Sequence, residues 1–312
     1  MTWPTIPAAL VLPPRKTATV TAAPPGRVAA VLECDDESAY AVAADGPAIR
    51  RLDAGAPHFV GLDLQLSPDG TRVAVAGDRE QILQDLTTGA TSVFAFDSLV
   101  GVEAWSPDGT RIVVDLDEVL AVVDLSSGSH RLVDGTVGTD FYSAAFVLGG
   151  GLVIGFDDRV ALALPGGRLV TVSDEYELSG QGSVSPAGDL LALVRPPDYP
   201  HAGEPAEFDI ALVTADGEPA GPAKPIEVSG YDIDVLGWRS AGELLISDNG
   251  PDGITLFGIG LDGTRTDPLS TGSADVTGIA VATGLAAELR SRPAGEPDYG
   301  TATPSRGWFR RG

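Results

Sequence analysis

Two stretches of the chain are nearly the same sequence. Leu66-Ser67-Pro68-Asp69-Gly70-Thr71-Arg72-Val73-Ala74-Val75 returns 39 residues later as Trp105-Ser106-Pro107-Asp108-Gly109-Thr110-Arg111-Ile112-Val113-Val114. A looser third copy, Ser185-Pro186-Ala187-Gly188-Asp189, follows 79 residues after the second, close to two periods. Proline fixes one φ and glycine supplies a positive one, so the motif reads as a tight turn between two apolar strands. Fainter copies fill the gaps. Turn glycines fall at Gly26, Gly70, Gly109, Gly151, Gly188, Gly242 and Gly284, spaced by 44, 39, 42, 37, 54 and 42 residues. A second series follows at Gly46, Gly89, Gly128, Gly167, Gly217 and Gly263. Both series lengthen once, in the fifth repeat, which places an insertion at residues 196–205.

A period near 40 with several short strands per repeat points to an all-β fold, a single β-propeller with four-stranded antiparallel blades. The third repeat shows the pattern best. Residues 102–105 form the inner strand, and Ser106-Pro107-Asp108-Gly109 its turn. Residues 111–115, 119–125 and 130–133 form the outer three strands. A helical period is essentially absent. The Ser-Pro-Asp-Gly-Thr-Arg turns and the Val123-Asp124-Leu125-Ser126-Ser127-Gly128 turn resemble those of the bacterial WD-repeat-like, TolB-like propeller family. The resemblance covers roughly residues 17–290 and implies a propeller that serves as an interaction platform; it speaks to fold far more than to function. The domain reading is therefore an N-terminal segment (1–16), a propeller (17–290) and a disordered C-terminal tail (291–312). Seven blades are expected, with Ile6 to Leu12 completing the last one, so that the two chain ends close the ring and remove exposed strand edges. Six is the alternative, if Val276 to Ala282 pairs directly with the first blade.

Composition narrows the partners. Acidic residues outnumber basic ones 44 to 20, a formal charge of −24. That disfavours nucleic acid and anionic membrane, which reward clustered Lys and Arg. One cysteine, Cys34, rules out a disulfide framework, and the three histidines, His58, His130 and His201, are far apart. The N-terminus lacks the features of a signal peptide, and the most apolar stretch, Phe146 to Phe156, is too short to span a bilayer. A cytoplasmic monomer without a cofactor is expected.

In a propeller the short hairpin turns lie on one face, while the variable loops lie on the other, where binding usually resides. Those loops carry Asp35, Asp36 and Glu37; Asp78 and Glu80; Asp115, Asp117 and Glu118; Asp157 and Asp158; and Asp248 and Asp252. Tyr142, Tyr176, Tyr199 and Tyr231 stand nearby in the sequence. Such a face would attract a cationic peptide or ligand, with aromatic rings adding cation–π attraction. The competing reading is that Asp serves as a turn residue and solubiliser. The insertion, with Tyr199, His201 and Phe208, reads either as a surface loop or as a partial lid. The terminal Arg306-Gly307-Trp308-Phe309-Arg310-Arg311 reads as an unstructured end or a docking tip. No nucleophile elbow, phosphate loop, dinucleotide fingerprint or His-Glu-x-x-His motif occurs. The expected function is a non-enzymatic scaffold that binds a protein or cationic ligand. The alternative is a cation-dependent, lactonase-like hydrolase with its site at the pore, and its metal ligands are left open.

Overall fold

The computed structural model describes residues 4–35, 38–53, 64–76, 79–96, 101–116, 119–164, 168–195, 206–214, 217–221, 223–228, 232–250, 252–293 and 297–300, the side chains of 148, 206, 207, 227 and 228 excepted. These residues form six blades. Blade 2 runs through Leu64–Leu66, Arg72–Ala76, Glu80–Asp85 and Thr91–Ala95. Blade 3 comprises Gly101–Trp105, Arg111–Asp115, Leu120–Asp124 and His130–Leu132, close to the strands read from the sequence. Blade 4 spans Phe141–Phe146, Leu152–Phe156, Arg159–Ala163 and Leu169–Ser173. Blade 5 has three strands, Leu190–Arg195, Ala206–Thr214 and Lys224–Val228, with two isolated bridges, at Glu177 and Val184, in place of an inner strand. Blade 6 is Asp232–Ser240, Glu243–Gly250, Gly253–Gly260 and Ser270–Gly272.

The count is six and not the seven expected, for a reason visible in blade 1. Its inner strand, Val276–Val281, pairs antiparallel with Val28–Cys34, which continues through Ala39–Ala43 to Ile49–Arg51. Gly26 and Gly284 therefore serve the same blade from opposite ends of the chain, and a ladder of turn glycines counts that blade twice. The alternative pairing of the last strand with the first blade is the one observed. Residues 6–12 do not complete a seventh blade. Ala9–Leu10 adds in parallel to Ser270–Gly272 as a fifth strand of blade 6, and Thr5–Pro7 pairs in parallel with Arg290–Arg292. Ile6 and Leu10 lie in the core.

The tail expected to be disordered from Ser291 is structured in part. Residues 290–292 form a strand, and Asp298 is gripped by Arg50, its Oδ2 2.9 Å from Arg50 Nη2. Tyr299 packs on the blade 1 core. The basic tip at 306–311 lies outside the described residues.

Alternation explains why blade strands read as continuous apolar runs. Successive side chains point to opposite faces of a strand, and each blade is covered on both. Ile112 and Val114 pack with Ala74 and Leu83 of blade 2. Val113 and Val122 pack with Phe146 and Ile154 of blade 4.

The repeated turn is held by its own side chains. Ser67 Oγ donates to Asp69 Oδ1 at 2.7 Å and accepts from the Arg72 amide at 2.9 Å, while the Thr71 amide donates to Asp69 Oδ1 at 3.1 Å. Ser106, Asp108, Thr110 and Arg111 repeat the pattern. In the looser copy the carboxylate has moved two places along, and Ser185 Oγ donates to Asp189 at 2.8 Å. The hydrogen bonds from Ser106 and Thr110 hold the Asp108 carboxyl down at about 2. At Asp69 the bonds from Ser67 and Thr71 outweigh an upward push from burial.

Neighbouring blades are joined by aromatic clamps. The Trp105 indole N–H donates to the Gln65 carbonyl of blade 2 at 3.0 Å, and the Arg72 guanidinium lies 5.2 Å from the Trp105 ring centre. Arg111 stands over Phe146 at 5.1 Å, and the Trp238 indole donates to Ser183 O at 3.3 Å.

Candidate functional site at the channel mouth

Inner strands and the Gln181–Ser183 turn surround a central channel. It narrows to a constriction of about 100 Å³ among Gln65, Trp105, Gly182 and Ile279. On the face of the variable loops it opens into a mouth of about 410 Å³. Four carboxylates line that mouth, Glu103, Glu177, Asp232 and Asp234, each from the channel side of its blade, and no Lys or Arg lines it among the described residues.

The mouth is shaped by a clamp between blades 4 and 5. Ser143 Oγ donates to Leu178 O at 2.6 Å, and the Leu178 amide donates to Tyr142 Oη at 3.3 Å. This holds Glu177 at the rim beside the Tyr142 ring. Asp234 sits deeper, where its Oδ2 accepts from Asn249 Nδ2 at 3.3 Å and Ser247 Oγ at 3.4 Å.

Burial raises the Glu177, Asp232 and Asp234 carboxyls, and the charge of Asp232 adds to it at the other two. Burial and then the charge of Asp232 push Asp234 up to about 6, against the hydrogen bonds from Asn249 and Ser247. Glu177 is raised by burial and by Asp232, and Asp232 by burial. Burial drives Tyr142 up to about 12, helped by the charges of Glu177 and Asp157 and opposed by the Leu178 amide.

A carboxyl raised in the folded state favours the protonated fold, so its ionisation costs stability once the pH rises through its folded value. Asp234→Asn is therefore expected to stabilise the protein at pH 8. The full shift is discounted because the mouth is open to solvent, leaving about 1 kcal/mol, or a Tm rise of about 2 °C. Near pH 4 the variant and wild type should melt together. Thermal denaturation at the two pH values reads this out, and an equal gain at both would show that the charge is not the cause.

The structure distributes the residues singled out from the sequence unevenly. Tyr142 is at the mouth. Asp157 and Asp158 occupy an exposed hairpin turn, where Asp158 pairs with Arg159 at 2.8 Å. Asp35 and Asp252 are exposed in turns, and Glu80 is exposed at the start of its strand. Asp115 is half-buried at the end of a blade 3 strand, and Tyr176 is half-buried under the Arg195 guanidinium, 5.3 Å from its ring centre. Asp248 requires correction: it lies within strand Glu243–Gly250 and is 1% exposed, so it is no loop residue. Phe208, assigned above to the insertion, is likewise a buried strand residue. Asp36, Glu37, Asp78, Asp117, Glu118, Tyr199 and Tyr231 lie outside the described residues, as does the insertion at 196–205.

Glu103 and Asp234 were missed. The available signal was an acidic residue inside an otherwise apolar inner strand, Val102-Glu103-Ala104 and Ile233-Asp234-Val235. Among the described residues no three His, Cys, Asp or Glu side chains are grouped to hold one metal ion.

No protein-family model matches the sequence, and no curated protein matches it. Solved structures do. TolB from Acinetobacter baumannii superimposes with a TM-score of 0.59 at 18% identity, covering 83% of this chain and 67% of that one. The likeness is to the TolB β-propeller in fold. A chain of a nidogen/laminin complex matches this propeller with a TM-score of 0.55 at 12% identity, over 82% of this chain and 99% of that one. At these identities the likeness is one of fold. No helix among the described residues of the propeller is long and apolar enough to cross a membrane.

Proposed function

We propose that this TolB-like propeller is a non-catalytic binding module that takes an Arg- or Lys-rich segment of a partner protein at its acidic mouth. One observation carries the reading: four carboxylates, Glu103 of blade 3, Glu177 from the segment between blades 4 and 5, and Asp232 and Asp234 of one blade 6 strand, converge on a mouth of about 410 Å³ with no Lys or Arg among its described lining residues. The Tyr142 ring at the rim adds a surface for cation–π contact. A fold shared with a chain of a nidogen/laminin complex accords with a binding role. The hydrolase alternative gains no support from the grouping of possible metal ligands.

Calorimetric titration with a Lys/Arg-rich peptide tests the reading. Affinity should fall at least about tenfold between 50 and 500 mM NaCl, because the contact is between screened charges. A Glu177→Gln/Asp232→Asn/Asp234→Asn variant should lose about tenfold or more at low salt. A second variant, Asp35→Asn/Asp158→Asn/Asp252→Asn, neutralises exposed turn carboxylates that do not line the mouth and should bind nearly as well as wild type. Binding that ignores salt, or survives neutralisation of the mouth, would overturn the proposal.

A further inference from the structure

The other end of the channel has the opposite chemistry. Where the Ser-Pro-Asp-Gly turns converge, it widens into a cavity of about 450 Å³. That lies within the range of small-molecule sites, ~300–1,000 Å³. Its walls are largely apolar, with Pro107, Phe146, Val147, Pro186 and Trp238 among them.

The polar side chains in those walls are nearly all committed. Gln181 is closed on the Phe146 backbone, accepting from its amide at 2.7 Å and donating to its carbonyl at 3.1 Å. Ser185 Oγ serves its own turn. The Asp108 carboxylate is taken by Ser106 and Thr110. Arg111 and Thr283 are the exceptions, and of the two only Arg111 carries charge. Arg111 stacks on Phe146, yet among the described residues its guanidinium donates no hydrogen bond and lies in no ion pair. The Arg111 guanidinium, which feels the charge of the Asp108 carboxylate in the same wall, therefore brings unbonded N–H donors to a largely apolar cavity.

We infer that this cavity binds an apolar group that ends in one carboxylate. The carboxylate would take the Arg111 fork in the two-pronged geometry that guanidinium and carboxylate share. The apolar body would lie against Phe146, Pro186 and Trp238. A phosphate ester fits less well, because Arg111 is the one cation among the described lining residues and the Asp108 carboxylate shares its wall, which leaves a second negative charge unmatched. The ligand could be a free organic acid or the C-terminal residue of a peptide, since both present this chemistry. The site is independent of the acidic mouth, and its salt response should differ. The chain's charge of −24 repels an anion at long range, and salt screens that repulsion along with the local attraction.

The test uses the whole protein and four probes in calorimetric titration: 3-phenylpropionate, its neutral amide, a short peptide ending in Phe with a free carboxylate, and the same peptide amidated. At least one carboxylate probe should bind about tenfold or more tightly than its amide. Which of the two does so separates the free acid from the peptide terminus. Affinity should change less than about threefold between 50 and 300 mM NaCl. Arg111→Gln should erase the preference for carboxylate over amide. Because Arg111 also stacks on Phe146, a second variant, Ala187→Trp, obstructs the cavity from an exposed turn position and leaves Arg111 in place; it should abolish binding. Equal binding of acid and amide, or no saturable binding of either carboxylate, would overturn the inference.

Discussion

Gly70→Ala is expected to lower stability by about 3–5 kcal/mol, while Gly109→Ala costs about 1 kcal/mol. Both glycines occupy the same place in the repeated turn, with φ of +71° and +65°. The left-handed backbone penalises any side chain by ~1–2 kcal/mol at either position. Their surroundings differ. A Cβ at Gly70 would stand 2.1 Å from the Val28 carbonyl oxygen, which belongs to the backbone of blade 1 and cannot swing away. The same approach carries the 2.8 Å hydrogen bond from the Val28 amide to Gly70 O. Alanine must push blades 1 and 2 apart, losing that bond and opening the contact around it. At Gly109 the nearest atom is the Arg72 guanidinium nitrogen at 3.3 Å, the mobile end of a long side chain. Denaturant titration of the two variants measures the difference. Equal losses would show that the turn itself, and not the contact between blades, sets the cost.

Trp105→Ala is expected to cost about 3–5 kcal/mol, at the upper end for a large core residue. The side chain is 1% exposed and packs among Ile112, Val114 and Ala74. It contributes three separable effects. Its volume fills the seam between blades 2 and 3. Its indole N–H satisfies the Gln65 carbonyl, and its ring lies under the Arg72 guanidinium. Trp105→Phe keeps a ring and much of the volume and removes the donor, so it should cost about 1–2 kcal/mol. A double-mutant cycle with Arg72→Met should show a coupling of about 0.5–1 kcal/mol between guanidinium and ring. A coupling of zero would mean that Arg72 matters only through its hydrogen bond to Gly109 O.

The repeat was legible because its determinants are local. Ser, Asp, Gly and Thr within five residues build a turn whose hydrogen bonds close on themselves. The strands of blade 3 follow from apolar runs bounded by such turns. The candidate site was only half legible. Acidic loops could be read directly, but the mouth brings Glu103 and Glu177 to Asp232 and Asp234 of blade 6, and no spacing along the chain shows that these three segments meet. Asp248 misled because Ser-Asp-Asn-Gly looks like a turn, whereas strand pairing with residues 233 and 255 carries it into the sheet.

Local chemistry, then, dictated the repeat, the turns, the antiparallel blades and the strongly acidic surface. These depend on residues a few places apart, whose backbone preferences and hydrogen bonds form wherever the segment lies. The tertiary structure decided the blade count, because the inner strand of blade 1 lies some 240 residues from its partner in the chain. It decided that Gly70 is crowded and Gly109 is not, since their neighbours come from different blades. It also gave the two ends of the channel their opposite characters, by choosing which side chains of each inner strand face one axis.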